Sequence, residues 1–363
     1  TGDISINSST TIRFGAAGNG RTLFDGNTPQ SVNATPGTPA PEFRDFQTNN
    51  LVNDITLNTP SIIITELDLD NGHVNTDATN LLIMNDNSSV SSSGEIAFVN
   101  GPMRKIGNDA FEFPVGKNDT AYAPISMSAP ANGSHHFTAE YFQFSADSVS
   151  PTPYYRSVKD LSIDHISGCE FWTLDRTNGA SNVNVTLSWD DRSCGVTNLP
   201  ELVVARWDGS QWKDHGNGGT TGSTVNGTVV TSATVTNFSP FTLASTTANN
   251  PLPVTLVDFT ARLTNDLVNL TWQTATEENN EGFEVQHSTD GENWETLDFV
   301  QGEGTTTQTT TYNFVDENPV GGVNYYRLKQ IDFDGQFEYS SIRVIEIEVE
   351  NNTKVYPNPV QDF

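Results

Sequence analysis

Apolar and polar residues alternate over short runs along most of the chain, and Gly, Asn, Asp or Pro separates one run from the next. Alternation with a period of two is the pattern of a strand that buries one face, and helical periodicity is scarce. The sequence therefore predicts an all-β fold. We expect an N-terminal β-region followed by tandem β-sandwich domains.

Residues 51–99 carry short apolar bursts separated by Asn and Asp turns. The bursts recur about every dozen residues, which fits consecutive strands of a sandwich or a short parallel β-solenoid with rungs of similar length. Residues 1–50 hold short strands and then a Gly/Pro-rich stretch at 35–41. So much proline indicates a linker or an edge strand.

Residues 254–349 contain strand-like runs in the number that an immunoglobulin-like or fibronectin type III-like sandwich requires, about seven in 95 residues. Trp272 is predicted to lie on the second strand and to face the core. The Tyr pair at 325–326 opens the sixth strand and is similar to the tyrosine corner of such sandwiches. The Asp-Gly pair at 334–335 is typical of a hairpin turn into the last strand.

Several phrases in this region resemble a known family. Residues 253–256 (PVTL), 270–275 (LTWQTA) and 324–332 (NYYRLKQID) are similar to the fibronectin type III-like sandwich that precedes the sorting domain of type IX secretion substrates. Residues 355–360 (VYPNPV) resemble the opening of that C-terminal sorting domain. Further upstream, residues 203–212 (VVARWDGSQW) resemble large surface and secreted proteins of Bacteroidetes-type bacteria.

The resemblance implies an exported protein, extracellular or on the outer cell surface, whose C-terminal tail contacts the secretion machinery. The chain opens on Thr1 without a basic and apolar leader, so Thr1 is expected to be a processed start or a cut end. Pattern and resemblance together predict four regions: N-terminal strands with a Gly/Pro linker (1–50), a β-rich surface-protein region with a Trp-rich sandwich (51–248), a fibronectin type III-like sandwich (249–350) and the start of the sorting domain (351–363).

The chain is strongly acidic, with 17 Lys and Arg against 45 Asp and Glu and a formal net charge of −28. This charge repels phosphate backbones and anionic lipids, so nucleic-acid binding is not expected. No apolar run approaches the ~20 residues that a membrane-spanning helix needs. The protein is therefore predicted not to span a membrane.

Cys169 and Cys194 are the 2 cysteines of the chain and lie in a Trp-rich segment. A single disulfide between them is the preferred interpretation, because disulfides are typical of exported proteins. Two buried free thiols are the alternative. Two thiols without a nearby His pair do not form a zinc site.

A candidate calcium site lies in the first half of the chain. Glu66, Asp68 and Asp70 occupy alternate positions before an Asn-Gly turn, and Asp77 follows. Carboxylates are the ligands that calcium prefers, although the spacing is only loosely that of an EF-hand loop. The alternative is a polar strand face, because the intervening Leu residues alternate as core positions. No cofactor is required on either interpretation.

The Trp residues offer a candidate glycan site. Trp207 and Trp212 flank an Asp-Gly turn, and two more Trp residues fall within residues 172–189. Exposed Trp faces stack on sugar rings, but a sandwich of this length also needs large core residues, and one Trp would pack on the other across such a turn. Both interpretations stay open.

Two triplets resemble the acceptor motif for O-glycosylation of exported proteins in these bacteria. They place the modified hydroxyls at Thr120 and Ser148, each preceded by Asp. Nearby prolines suit surface loops, where a glycan would be accessible.

Signatures of hydrolases and transferases are missing from the sequence. The carboxylate pairs at 190–191 and 277–278 are the obvious candidates for glycosidase chemistry, but adjacent side chains diverge on a strand. We therefore predict a non-enzymatic, exported structural or adhesive protein. Its partners would be copies of itself, joined into a filament through donation of unpaired strands in residues 3–14, or other surface proteins and glycans. The alternative is a carbohydrate-binding accessory module of a secreted enzyme.

Overall fold

The computed structural model describes residues 3–15, 20–118, 121–193, 195–247, 250, 256–265, 267–274, 277–306, 309–333 and 337–347. Within these residues nearly all regular structure is strand, and two short 3₁₀ turns, Ala146–Ser148 and Leu199–Glu201, are the only helical elements. The all-β prediction is confirmed. The chain divides into two compact units, Thr1–Leu252 and Pro253–Phe363. No helix in the described part is long and apolar enough to cross a membrane.

The first half of the N-terminal unit is solenoid-like, with parallel strands stacked rung upon rung. Of the two architectures that the apolar spacing allowed, the solenoid is the one observed for residues 4–106. Its strands are β1 (Ile4–Ile6), β2 (Arg13–Phe14), β3 (Arg21–Phe24), β4 (Gln30–Ala34), β5 (Glu42–Asn49), β6 (Ile55–Leu57), β7 (Ser61–Asn71), β8 (Val74–Asn75), β9 (Leu82–Met84), β10 (Ser89–Ser92), β11 (Val99–Asn100) and β12 (Met103–Ile106).

Two parallel sheets form the walls of this solenoid. One wall runs β1-β4-β6-β8-β11, and the other stacks β2 and β3 on β5, β5 on β7, and β7 on both β9 and β10. The rungs are stacked in register: Ile55 lies beside Val74, and Val74 beside Val99. The stacked apolar side chains fill the space between the walls. The spacing of about a dozen residues seen in the sequence therefore separates successive strands within one rung, and not one rung from the next.

Amide ladders run along the outside of the first wall. Asn58 Nδ2 donates to Asn33 Oδ1 at 2.9 Å, and Asn100 Nδ2 donates to Asn75 Oδ1 at 2.9 Å, each pair being 25 residues apart. Stacked Asn side chains satisfy one another from rung to rung, as in other in-register parallel sheets. The repeat of the solenoid is therefore about 25 residues at these positions, a typical solenoid length.

The solenoid passes into a sandwich without a break. Strand β12 pairs parallel with β9 on one side and antiparallel with β17 on the other. The remaining strands are β13 (Phe111–Phe113), β14 (Val115–Lys117), β15 (Ala121–Tyr122), β16 (Ile125–Met127), β17 (His136–Phe142), β18 (His165–Ile166), β19 (Phe171–Asn178), β20 (Val185–Trp189), β21 (Leu202–Trp207), β22 (Trp212–Asp214), β23 (Thr220–Gly222), β24 (Gly227–Val230) and β25 (Phe241–Ser245).

One sheet of this sandwich, β17-β19-β25-β21-β22, continues the second solenoid wall, and the other sheet is β13-β16-β20-β24-β23. A single hydrophobic core extends from Ile6 in the first rung to Leu243 in the sandwich. Trp172 is fully buried in that core and donates through Nε1 to the carbonyl of Ala123 at 2.8 Å.

Two expectations for the N-terminal strands are wrong. Strand β1 pairs with β4, where Ile4 lies beside Val32, and β2 pairs with β5, so residues 3–14 are not unpaired strands. The Gly/Pro-rich stretch at 35–41 connects β4 to β5 within one rung, and the carbonyl of Pro41 accepts a hydrogen bond from Ile62 N. It is part of the solenoid rather than a linker, because prolines suit the corner between two walls.

The C-terminal unit is a β-sandwich with its own core. Its strands are β26 (Leu256–Thr264), β27 (Leu267–Thr274), β28 (Glu277–Ser288), β29 (Glu295–Thr306), β30 (Thr310–Asp316), β31 (Gly322–Asp332), β32 (Phe337–Tyr339) and β33 (Arg343–Ile347). One sheet is β26-β27-β30, and the other places β28 between β29 and β31, with β32 and β33 both paired to β31.

The aromatic core of this unit agrees with the sequence. Trp272 on β27 is fully buried and stacks on Tyr312 with ring centroids 5.5 Å apart. Tyr326 is also fully buried, and its hydroxyl donates to Asp316 Oδ2 at 2.8 Å. The predicted turn at 334–335 and the sorting-domain segment at 351–363 lie outside the described residues.

Candidate binding groove

A polar groove of about 780 Å³ lies where the solenoid meets the sandwich. Residues 87–93, which include β10, form one side, residues 109–112 form the other, and Tyr122 lines it as well. Its volume is within the ~300–1,000 Å³ typical of binding sites.

The groove exists because one strand of the solenoid lacks a partner in the next rung. Among the residues that the structure describes, strand β10 pairs with β7 and with no other strand. The segment that follows β12, Phe111–Phe113, turns away from the solenoid and pairs as β13 with β16, at the edge of a sandwich sheet. Two strand edges therefore flank the groove, each paired on its far side.

The lining confirms that the groove faces strand edges rather than a sheet face. A face exposes only alternate residues of a strand, because neighbouring side chains point in opposite directions. Here all seven consecutive residues 87–93 contact the groove, and so do all four residues 109–112. Backbone as well as side chains must therefore be accessible from it.

One end of the groove is held by a buried cation. Lys105 is fully buried, and its Nζ donates to the carbonyls of Asn85 at 2.7 Å and Ser88 at 3.1 Å. It also forms an ion pair with Asp109 at 3.2 Å, and Asp109 accepts from Asn87 N at 2.9 Å. Burial lowers the pKa of Lys105, which the hydrogen bond and charge of Asp109 partly offset. This network fixes the start of β10 against residues 109–112.

The other end is closed by a hydroxyl pair. Ser93 Oγ and Tyr122 Oη lie 2.9 Å apart. Burial raises the pKa of Tyr122 to about 12, so the phenol stays protonated at neutral pH. Between the two ends, Ser89 and Ser91 are exposed, and Val90 packs on the core. The charged residues of the lining are both acidic, Asp109 and exposed Glu112.

The predicted calcium ligands are engaged with protein donors. Asp68 forms an ion pair with Arg21 at 2.9 Å, and Glu66 lies 3.7 Å from the same guanidinium. Asp70 accepts from Gln47 Nε2 at 2.7 Å. Burial and the nearby charge of Asp70 raise the pKa of Asp68 despite Arg21.

Asp77 has a different role from the other three carboxylates. It accepts from Thr79 N at 2.7 Å and Asn80 N at 2.8 Å, and these hydrogen bonds lower its pKa. Across the described ranges, no group of three or more His, Cys, Asp or Glu residues is arranged to hold a metal ion. Calcium binding by this chain stays a prediction.

The Trp pair packs inward. Trp212 is fully buried, and its Nε1 donates to the carbonyl of Tyr154 at 3.1 Å. Trp207 packs against it, with ring centroids 5.8 Å apart. The glycan interpretation is therefore wrong for Trp212, which has no face available for a sugar. Trp172 and Trp189 are buried as well, as the core-packing alternative predicted.

The remaining predicted sites are described in part. Cys169 is disulfide-bonded, whereas Cys194 lies outside the described residues. Thr120 also lies outside them. Ser148 is exposed at the end of the first 3₁₀ turn, where a glycan would find room, and its modification stays a prediction.

The carboxylates considered for catalysis are bound by neighbouring groups. Asp190 forms an ion pair with Arg192. Buried Glu277 accepts hydrogen bonds from Thr274 Oγ1 at 2.8 Å, Asn280 Nδ2 at 2.7 Å, the backbone N of Glu303 at 2.9 Å and the hydroxyl of Tyr312. Burial raises the pKa of Glu277, but these donors outweigh burial and lower it overall.

The sequence did not single out Glu170, which the structure buries completely beside Cys169. Tyr141 Oη donates to Glu170 Oε2 at 2.8 Å. Burial raises the pKa of Glu170 to about 7, although the hydrogen bond from Tyr141 acts to lower it. Its position directly before Phe171 and Trp172, which begin β19, was the available signal.

Comparisons with known proteins add little to this description of the candidate site. No protein-family model and no curated protein matches the chain. Among solved structures, the chain is similar to a β-1,2-glucanase from Parabacteroides distasonis at 10% identity, over 69% of this chain and 37% of that one, with a TM-score of 0.20. The chain thus spans little more than a third of that enzyme. A similarity of this size carries no argument about shared fold or activity.

Proposed function

We propose that this chain is an exported, non-enzymatic protein of the outer cell surface, with a structural or adhesive role. The observation that carries the proposal is the groove beside β10, because strand edges and serine hydroxyls are groups that bind a partner. The acidic pairs that suggested chemistry are instead held by Arg192 and by the donors around Glu277.

Two further features support an extracellular location. Cys169 is disulfide-bonded, and disulfides persist in oxidising compartments. The resemblance of residues 253–256, 270–275 and 324–332 to type IX secretion substrates supports export by that route.

A monomeric stalk or adhesin is better supported than a filament built by strand donation. Donation of residues 3–14 would break the pairing of β1 with β4 and of β2 with β5. The carbohydrate-binding alternative loses its main support with the burial of Trp212.

The proposal is tested on intact cells of the source organism. An antibody raised against the full chain should label cells without permeabilisation, and deletion of the gene should reduce attachment of cells to a surface or to one another. Labelling that requires permeabilisation would contradict the location. Turnover of a polysaccharide or peptide by the purified chain would contradict the non-enzymatic role.

A further inference from the structure

We infer that the groove between β10 and β13 accepts an extended peptide of another protein, which carries at least one Lys or Arg and adds as a strand to the edge of β10. The inference deepens the proposed function and rests on it for its biological setting. It names the class of partner and the segment of the chain that binds it.

The backbone geometry is the first argument. An edge strand presents N–H and C=O groups that another strand can pair with, and peptide recognition by strand addition uses such edges. Strand β10 offers one free edge, and residues 87–93 line the groove continuously. The strand itself spans Ser89–Ser92, so its edge pairs with about four residues of an extended peptide.

The side chains around the edge predict the pattern of the peptide. Alternate residues of an added strand face opposite sides of the sheet. On the core side they would meet Phe111 and Val90, which are apolar, and on the outer side Ser89 and Ser91, which are small. The fitting peptide therefore alternates apolar residues with polar ones.

Charge selects the polar residues and disfavours a second copy as occupant. The charged groups in the lining are the carboxylates of Asp109, which is paired with Lys105, and of exposed Glu112, whose Oε2 accepts a hydrogen bond from Ser126 Oγ at 3.4 Å. A Lys or Arg of the peptide pairs with Glu112, because complementary charge sets specificity and register. A second copy of this chain brings a net charge of −28, which repels the first.

A saccharide fits the same groove less well. Sugar sites need aromatic faces, and the aromatic residues in the lining are Phe111, which is buried, and Tyr122, whose hydroxyl is bonded to Ser93. We therefore make glycan binding an outcome of the test rather than a second proposal.

The test is a selection of displayed random twelve-residue peptides on the immobilised full chain. Enriched peptides should alternate apolar and polar residues and contain Lys or Arg. A synthetic copy of the best peptide should not bind the Ala110→Trp variant, in which the new side chain fills the groove from an exposed lining position. It should still bind the control variant Ala180→Trp, in which the substitution lies at an exposed position outside the groove. Methylation of alternate peptide nitrogens should also abolish binding, because it removes the pairing donors.

Charge reversal gives the second readout. Glu112→Lys should weaken the peptide by about tenfold, the effect of losing roughly 1.4 kcal/mol of interaction. Asp175→Lys, an exposed acidic position on β19, should leave affinity unchanged at physiological salt. Both variants replace surface groups, and thermal melting checks that each one is folded.

Several results would overturn the inference. One is equal enrichment of peptides on the parent chain and on the Ala110→Trp variant. Another is binding of neutral glucose hexasaccharides that Ala110→Trp abolishes. A third is self-association of the chain that depends on the groove. Failed peptide selection with normal surface labelling and attachment would overturn this inference alone. Failed labelling with a groove that binds peptides would overturn the proposed function and leave the groove as a peptide site.

Discussion

Among the described residues, each of the two units buries one glutamate, and the two carboxyl groups respond to burial in opposite ways. In the N-terminal unit, burial raises the pKa of Glu170 to about 7. In the C-terminal unit, four donors around Glu277 outweigh burial and lower its pKa. The difference teaches that burial alone does not set the charge state. The number of hydrogen-bond donors that a core supplies decides it.

This contrast gives the units opposite pH dependences. The folded N-terminal unit holds the proton of Glu170 more tightly than the unfolded chain, so that contribution is fully present below a pH of about 4.5 and is lost as pH rises through about 7. Glu277 contributes stability above its unfolded pKa, and the contribution is lost as pH falls through the lowered folded value.

The largest expected effect separates the two cores. Trp272→Ala should lower the free energy of unfolding of the C-terminal unit by about 3–5 kcal/mol, since it removes a fully buried aromatic ring. Trp172→Ala should do the same for the N-terminal unit only. Differential scanning calorimetry of the full chain should show one transition moving in each variant. If both transitions moved together in either variant, the cores would not be independent.

The next effect tests the donors of the C-terminal unit. Glu277→Ala should destabilise that unit by about 2–4 kcal/mol, because the Asn280 amide, the Tyr312 hydroxyl and the other donors lose their acceptor inside the protein. Glu277→Gln keeps one carbonyl acceptor and should cost less. Hydrogen exchange of the backbone amides in the C-terminal unit measures the loss of stability in both variants. Equal costs for the two variants would mean that the hydrogen bonds are not the source of the effect.

A third substitution removes the carboxyl group of Glu170, the buried glutamate of the N-terminal unit. Glu170→Gln should stabilise that unit at pH 8 by on the order of 2 kcal/mol, because the charged form of Glu170 is disfavoured there. At pH 5 the variant and the parent should be nearly equal, since Glu170 is then protonated. Thermal melting between pH 5 and pH 8 gives the slope of stability against pH for the variant and for the parent. Parallel slopes would show that Glu170 is not the group responsible.

The smallest effect concerns the amide ladder. Asn100→Ala removes the donor to Asn75 and should cost the N-terminal unit about 0.5–1.5 kcal/mol. Thr56→Ala, at an exposed position of the same wall, is the matched control and should cost less. Chemical denaturation distinguishes the two. An Asn100→Ala cost no larger than that of the control would show that the ladder adds no stability.

The sequence predicted the C-terminal unit far better than the N-terminal one. Trp272 was predicted on the second strand of the sandwich and lies on β27, Leu267–Thr274, and the Tyr pair predicted on the sixth strand lies on β31. Antiparallel strands that bury one face show plain alternation, and Trp272 lies where that alternation placed it. In the solenoid, pairing partners lie far apart in the sequence, 19 residues for Ile55 and Val74 and 25 for Val74 and Val99, and alternation says nothing about which strands stack.

The candidate site was beyond the sequence for the same reason. Residues 88–93 are Ser except for Val90, and the sequence marks them as one short apolar burst with no sign of a binding site. Their importance appears only when β10 is seen to have one partner and β13 is seen to leave the solenoid. The buried Trp212 illustrates the converse, because aromatic content alone cannot distinguish a core residue from an exposed platform.

The stacking of rungs in the solenoid has a consequence for how its length can evolve. In repeat architectures each rung contacts only its immediate neighbours, so a rung can be duplicated or deleted without rebuilding the rest. Here the in-register columns join successive rungs, and Asn side chains add a hydrogen bond at two of the junctions, from Asn58 to Asn33 and from Asn100 to Asn75. Gain or loss of about 25 residues would lengthen or shorten this part of the molecule while the sandwich keeps its sequence. The solenoid is in this sense an adjustable spacer.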